Sequence, residues 1–504
     1  MDFLTSVLCI FFACALLQPL LSPLRRSKSI IGKLPPGPVP LPVLGNLLSV
    51  GNRPHMSLAD LARRHGPIMT LQMGRITTIV ISSAAMAEQV LHKQDLTFSS
   101  RATPDAIHAL RHHQISVVWL PVSTRWRKLR KICNTNIFTP QRLDATHSLR
   151  RKKVAELLAE IGERCGNGEG VEIGLAAFKT TLNFISNTVF SVDLAGSNSD
   201  AVQEFKEEMR MLVDEIGKPN LVDYFPVLKK MDPQGIRRRA TANFKKLIGL
   251  FDSMIEQRVH YRAMHGGGKS DDMLDALLNL SEDGGDEGID RTDISHLLLD
   301  LFTAGTDTTS GTMEWAFAEL LHNPHALSKA QAEVRQTIEK GKAMEEVDIA
   351  RLPYLQAIVK ETLRLHPPAP LLLPHKAQTD VDICGFRVPE GAQVLVNAWA
   401  IGRDPKTWAR PNSFEPERFL GLDMDVKGRS FELIPFGSGR RICPGLPLAT
   451  RMIHLMLGSL LHTFNWKLEE GIAPEDMTME DKFGLTIQMT HPVHAVPTLC
   501  EIRE

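Results

Sequence analysis

The sequence predicts a mainly α-helical protein with a few short β-strands, preceded by a membrane-spanning helix. Three observations carry that expectation. Seven segments show helical spacing of apolar residues: Leu149–Cys165, Ala201–Gly217, Ala240–Met264, Ile294–His322, Pro324–Lys340, Tyr354–Leu365 and Leu446–Phe464. Strand-like runs are fewer and shorter: Ile68–Met73, Thr77–Ser82, Gly385–Val388 and Gln393–Asn397. Strands and helices do not alternate regularly, which argues against a doubly wound sheet. The third observation is an uncharged apolar run at the N-terminus.

That run extends from Phe3 to Leu24, 22 residues without a charge. A hydrocarbon core needs about 20 such residues in a helix. Arg25, Arg26, Lys28 and Lys33 follow, and a positive flank places the rest of the chain on the cytosolic side. Because the basic residues come after the run, an uncleaved signal anchor over residues 1–24 is expected rather than a cleaved signal peptide. Leu34-Pro35-Pro36-Gly37-Pro38 closes a basic, proline-rich hinge over residues 25–38. Consecutive prolines favour an extended spacer. From residue 39 to residue 504 no second linker or internal repeat intervenes, so one globular body is expected. Gly266–Ser270 and Ser281–Gly288 read as surface loops within it.

Composition narrows the function by exclusion. The 58 basic residues balance 58 acidic ones, giving no support for global polyanion binding. The cysteines, seven and scattered, form no C-x-x-C pair, which suits a reducing compartment better than a disulfide scaffold. No G-x-G-x-x-G follows a strand. The chain therefore lacks an evident flavin or nicotinamide site of its own.

One cysteine stands apart. In Phe436-Gly437-Ser438-Gly439-Arg440-Arg441-Ile442-Cys443-Pro444-Gly445, glycines on both sides of the thiol let backbone approach a flat cofactor. Pro444 is expected to begin the apolar helix over Leu446–Phe464, since proline suits a first helical turn. A helix N-terminus favours negative charge and lowers a thiol pKa. Arg441 presents a fork of donors to a cofactor carboxylate.

The run resembles the cysteine-loop signature of cytochromes P-450, F-x-x-G-x-R-x-C-x-G, met at Phe436, Gly439, Arg441, Cys443 and Gly445. The resemblance covers essentially the whole chain. It implies the P-450 fold, a long central helix over haem with the cysteine-ligand loop beneath. It also implies haem b with Cys443 as the iron ligand, a thiolate that favours O–O cleavage. Three further motifs occur in the family's order. Ala304-Gly305-Thr306-Asp307-Thr308-Thr309 sets poor helix formers in the middle of a long apolar helix. An acid–alcohol pair there can relay protons, and by resemblance Thr308 orders water while Asp307 helps supply protons. Glu361 and Arg364, with Arg418 downstream, imply a buried ion network. Trp126 and Arg130, four residues apart on one helix face, imply a contact with a second haem propionate.

His375 stands where many relatives carry arginine; it can still bond a propionate, with a charge that depends on pH. His108, His112 and His113 invite a metal reading, but a polar loop over the pocket fits better, because no carboxylate or cysteine in that stretch completes a site. Arg127, Lys128, Lys131 and Arg440 are candidates for a cationic face that steers an acidic electron donor. By resemblance the donor is NADPH–cytochrome P-450 reductase, with cytochrome b5 as a second partner, at the endoplasmic-reticulum membrane.

The chain looks most like plant terpenoid hydroxylases of the geraniol-hydroxylating group. The residues behind that likeness are Asp223-Tyr224-Phe225-Pro226, Asp232-Pro233-Gln234-Gly235, Phe431-Glu432-Leu433-Ile434-Pro435 and Phe464-Asn465-Trp466-Lys467-Leu468-Glu469. The pocket regions implied are 102–120, 298–308, 369–373 and 483–487, rich in Leu, Ala, Val and Ile. Such a lining suits a compact apolar metabolite. Oxygen insertion into a C–H bond of a monoterpenol is the expected reaction. Flavonoid or phenolic hydroxylation is one alternative, and rearrangement of a peroxide without dioxygen or reductase is another.

Overall fold

The computed structural model describes residues 33–196, 199–265, 272–282 and 288–499. The expected anchor over residues 1–24 and the Gly266–Ser270 loop lie outside them. Among the described residues no helix is long and apolar enough to cross a membrane.

Eleven α-helices of nine residues or more stand among the described residues. They are α1 (Pro54–His65), α2 (Thr124–Ile132), α3 (His147–Asn167), α4 (Ile173–Phe190), α5 (Ser199–Gly217) and α6 (Ile236–Met264). They continue with α7 (Met273–Glu282), α8 (Arg291–His322), α9 (Pro324–Thr337), α10 (Pro353–Leu365) and α11 (Leu446–Thr463). The mainly α architecture is as expected, and each of the seven predicted helices forms. The largest sheet joins β1 (Ile68–Met73), β2 (Ile76–Ile81), β3 (Ser100–Arg101), β5 (His375–Lys376) and β8 (Gln393–Val396) in the order β1-β2-β8-β5-β3, while β4 (Val171–Glu172), β6 (Val381–Ile383) and β7 (Phe386–Val388) belong to smaller sheets. In it β5 lies antiparallel to both neighbours, with His375 opposite Arg101 in β3 and Val394 in β8.

The helix α4 escaped the periodicity reading for a physical reason. It buries residues on almost every side, from Ile173 through Phe178, Leu182, Phe184 and Val189 to Phe190. A helix buried all round shows no polar stripe. It lies against α8, and a Cβ on Gly305 of α8 would stand 2.9 Å from Ile185 of α4. Glycine there permits the close approach of the two central helices.

Two expectations are refined by the packing. The proline-rich segment is docked against the body: the Thr70 amide donates to the Pro36 carbonyl at 2.8 Å and Arg387 to Lys33 at 3.1 Å. Gly37 is required there, because a Cβ would stand 1.9 Å from the Thr70 carbonyl oxygen. Pro444 does not begin α11. That helix starts at Leu446 with Gly445 as its cap and a proline in the first turn, Pro447. Cys443, Pro444 and Gly445 form a turn ahead of it.

Candidate active site

The site is built on the middle of α8. Asp290 caps this helix through the Asp293 amide at 2.7 Å, and the Asp293 side chain answers the Asp290 amide. The Ala304–Thr309 stretch does not break it. Thr306 turns its hydroxyl back on Phe302 at 2.7 Å and Thr308 on Ala304 at 2.7 Å, and one turn on Thr312 does the same to Thr308 at 2.8 Å. Polar side chains satisfied inside the helix do not compete with its ladder. Ala304 is exposed although Phe302 and Thr306 beside it are buried. An exposed alanine at the centre of a buried helix marks a gap in the packing, and that gap is the candidate pocket.

Of the regions expected to line it, 102–120 and 483–487 are bonded to this helix, and the chain just before 369–373 is bonded to the second of them. Asp300 accepts from the Val117 amide at 2.9 Å, bringing in residues 116–120. Asp307 accepts from Thr486 Oγ1 at 2.7 Å and Gln488 Nε2 at 2.8 Å. The Ile487 amide donates to Pro368 at 2.9 Å, tying the third and fourth regions together. Gly217, at the end of α5, approaches so closely that a Cβ would stand 2.2 Å from the Leu485 amide nitrogen. Desolvation by burial raises the Asp307 pKa above its ordinary value, against the hydrogen bonds from Thr486 and Gln488. Its proton is therefore held more firmly than that of a solvated carboxyl.

Beneath, the cysteine loop is shaped by two glycines with φ of 71° and 67°, Gly437 and Gly439. At Gly439 a Cβ would stand 1.9 Å from the Leu91 carbonyl oxygen. The Cys443 amide donates to the Phe436 carbonyl at 3.0 Å, closing the loop. Burial pushes the Cys443 thiol up, and the Gly445 amide, Arg130 and the Leu446 amide pull it back. The donors expected at a helix start are present, but desolvation outweighs them, so the thiol is not the depressed one that the sequence suggested.

Around this loop three guanidinium groups gather without a carboxylate. Arg130 donates to the Ile442 carbonyl at 2.6 Å. Arg441 donates from Nε to Ser99 at 2.8 Å and from Nη2 to Leu120, while its buried Nη1 has no partner. Its guanidinium carbon lies 4.6 Å from the centre of the Trp126 ring. Arg101, which no sequence motif singled out, donates to Leu373 at 2.8 Å. Burial lowers all three: Arg441 falls to about 10 with Arg130 adding to the effect, Arg101 goes well below the ordinary arginine value with Arg441 and then Arg130 adding, and Arg130 falls against the opposing pull of Cys133 and Cys443. A half-buried cluster of one sign with an orphaned donor is built to receive an anion.

The remaining predicted residues fall into place around it. Trp126 is buried and its indole N–H donates to the Val117 carbonyl at 3.0 Å. His375 is also buried; its Nδ1 donates to Phe98 at 2.6 Å and its Nε2 accepts from Arg101 at 3.1 Å. Burial, then Arg101, lowers its pKa to about 3, so the imidazole stays neutral rather than switching near neutral pH. His108, His112 and His113 lie on a short segment over Asp105–Gln114, and no group suited to a metal occurs among the described residues. Of the candidate docking cations, Arg440, Arg127 and Lys131 are exposed; Arg440 is also paired with Asp95 at 3.1 Å, and Lys128 donates to the Gly288 carbonyl.

A long helix carrying an acid–alcohol pair, over a cysteine loop ringed by unpaired arginines, defines a haem-thiolate protein. The comparisons agree. The cytochrome P450 family model matches residues 35–492. The chain is 54% identical over 497 residues to geraniol 8-hydroxylase of Swertia mussotii, covering 99% of each chain. It is also 54% identical over 498 residues to geraniol 8-hydroxylase of Catharanthus roseus, covering 99% of this chain and 100% of that one. Among solved structures, a zebrafish cytochrome P450 with progesterone superposes with a TM-score of 0.74 at 25% identity, covering 89% of this chain and 99% of that one. The chain belongs to the cytochrome P450 family, and that family implies haem.

Proposed function

We propose that this protein is a membrane-bound monooxygenase that inserts one oxygen atom of O2 into a C–H bond of a small terpenoid, a geraniol-type monoterpenol. The observation that carries the reading is the gap at Ala304, flanked by Thr308 and Asp307 and bordered by apolar segments. Both geraniol 8-hydroxylases noted above support the substrate class. NADPH supplies the electrons through a separate reductase, because the chain has no flavin motif of its own. Exposed Arg127 and Lys131 suit an acidic donor surface.

Cys443 would ligate the iron, and Arg101, Arg130 and Arg441 would answer the propionates, with Trp126 and His375 fixing two of those arginines. Bound haem supplies the site of oxygen activation, to which a thiolate ligand donates electron density. The protein's part is to position, to exclude water and to move protons. Thr308 gives its proton to the Ala304 carbonyl, which leaves its oxygen lone pairs to order a water molecule. Asp307, one residue away, is buried and so binds a proton more firmly than a solvated carboxyl does. Asp307→Asn should slow product formation by about 10²-fold or more while the thiolate-haem carbon monoxide spectrum is kept.

An endoplasmic-reticulum location with the catalytic body in the cytosol fits the surface. Val39 is 90% exposed, Val227 76% and Met231 72%. The two segments that carry them meet at the β1–β2 turn, where Gly74 donates to Leu44 at 3.2 Å and Arg75 to Tyr224 at 3.0 Å. Such a patch rests comfortably at a lipid interface. The decisive experiment uses microsomes holding this chain and a reductase, fed a panel of terpene alcohols and a panel of flavonoids. NADPH-dependent hydroxylation of monoterpenols is expected. Turnover of flavonoids alone would overturn the substrate class, and turnover without NADPH would overturn the monooxygenase.

A further inference from the structure

A buried polar network on α8 lies two turns before Asp307 and takes no part in the mechanism above. Asp300 accepts from Ser116 Oγ at 2.8 Å and from the Val117 amide at 2.9 Å. His112 Nε2 lies 3.1 Å from Asp300 Oδ1, and His112 Nδ1 lies 2.7 Å from His296 Nδ1. A carboxylate can only accept, so His112 donates from Nε2, and one hydrogen is shared between its Nδ1 and the Nδ1 of His296. His296 is a neutral imidazole, in keeping with a pKa that burial and then His112 lower to about 4. Asp300, His112, His296 and Ser116 are all buried.

What this network holds is the stretch of chain just after it. The Val117 carbonyl accepts from the Trp126 indole, the Val118 carbonyl from Arg101 Nε at 3.4 Å, and the Leu120 carbonyl from Arg441. Three carbonyls within four residues thus aim two members of the cation ring and the indole on which one of them is stacked. The N–H of Val117 and the hydroxyl of Ser116 are fastened to α8 by one carboxylate. The Val117 peptide is the joint: its N–H faces Asp300 and its C=O faces Trp126, on which Arg441 is stacked.

We propose that Asp300, supported by His112 and His296, is a positioning residue for the haem-propionate ring. It touches neither cofactor nor substrate and acts through residues 116–120. The inference rests on the haem-binding reading above. Outer partners that orient the groups holding a cofactor change its retention by roughly 10–100-fold when removed.

The test is the rate of haem transfer from the purified holoenzyme to excess apomyoglobin, together with the reduction potential. Asp300→Ala should speed transfer about 10-fold and shift the potential. Asp300→Asn should largely restore both, since the amide oxygen can still accept from Val117 and the amide N–H can donate to His112. Trp126→Phe should also speed transfer. Adding Asp300→Ala to Trp126→Phe should then speed it little further, because both act through the same peptide. Leu320→Ala, a buried position near the far end of α8, serves as the control for general destabilisation. It should lower the unfolding midpoint with little effect on transfer. Additive effects of Asp300→Ala and Trp126→Phe, or equal acceleration by Leu320→Ala, would overturn the proposal. Should Asp300→Ala not fold, Ser116→Ala and His112→Asn carry the same comparison. A wild-type chain that binds no haem would instead overturn the reading beneath it.

Discussion

Two clusters of arginines stand wholly or partly shielded from solvent, and they are built in opposite ways. In the first, Glu361 is fully buried and receives Arg364 through two bonds, of 2.6 and 2.8 Å, and Arg418 through a third of 3.0 Å. The Glu415 amide adds a fourth donor at 2.8 Å, and Arg364 spends its remaining donors on the carbonyls of Gly402, Pro411 and Ser413. Every charge is answered from within the chain. In the second, Arg101, Arg130 and Arg441 find only backbone carbonyls and one neutral histidine. Among the described residues none of the three is in an ion pair. The first cluster is complete and structural; the second is complete only with an anion from outside. Counting shielded arginines would have equated them, and asking where each donor goes separates them.

The comparison breaks most visibly at Glu361. Replacing it with alanine strands Arg364 and Arg418 without their carboxylate, and removing one member of a buried pair costs about 3–5 kcal/mol. Urea unfolding followed by circular dichroism should show a loss of that size. A loss below about 1 kcal/mol, the range of exposed pairs, would mean that Glu361 is not the keystone its burial indicates.

A smaller effect distinguishes His375, the neutral member of the open cluster. Its pKa is about 3 when folded against the ordinary 6.5. The unfolded chain therefore takes up a proton near pH 6.5 that the folded chain refuses until about pH 3. Stability contributed by the neutral imidazole is present above pH 6.5 and is lost as the pH falls toward about 3. His375→Gln keeps a donor for Phe98 and an acceptor for Arg101 but cannot titrate. Between pH 7 and pH 5 the unfolding midpoint of the wild type should fall more steeply than that of the variant. Parallel slopes would show that the imidazole is solvated rather than buried against Arg101.

The two clusters also differ in how far the sequence reveals them. Glu361, Arg364 and Arg418 are read from short motifs whose members come together as expected. Arg441 and Arg130 are found the same way, because the cysteine loop and the Trp126 helix carry fixed spacings. Arg101 belongs to no motif. Its place comes from the pairing of β3 with β5, a long-range register that puts it opposite His375. The charge of His375 is hidden for the same reason, since burial and an adjacent guanidinium are properties of the fold. The long helix α8 was legible because apolar residues dominate both its ends; α4 was not, because its burial is nearly uniform. The raised pKa of Asp307 likewise comes from burial, opposed by hydrogen bonds from Thr486 and Gln488, and the spacing of α8 can show neither.

The smallest effect on folding is expected where the open cluster loses a member. Arg441→Ala strips the Ser99 and Leu120 carbonyls of a donor, a cost of about 1–3 kcal/mol for a buried group that finds no water. It also removes a desolvated guanidinium with an orphaned Nη1 and relieves its repulsion with Arg101 and Arg130. These terms oppose one another, so unfolding of the haem-free protein should change by no more than about 1 kcal/mol. Haem transfer to apomyoglobin should nevertheless accelerate by about 10-fold or more. Arg441→Lys should recover only part of that retention, because an ammonium cannot offer two parallel donors while resting on Trp126. A folding loss as large as that of Glu361→Ala, with haem retention unchanged, would show the two clusters to be alike. The opposite pattern, a stable fold that holds its cofactor poorly, is what an incomplete cluster requires.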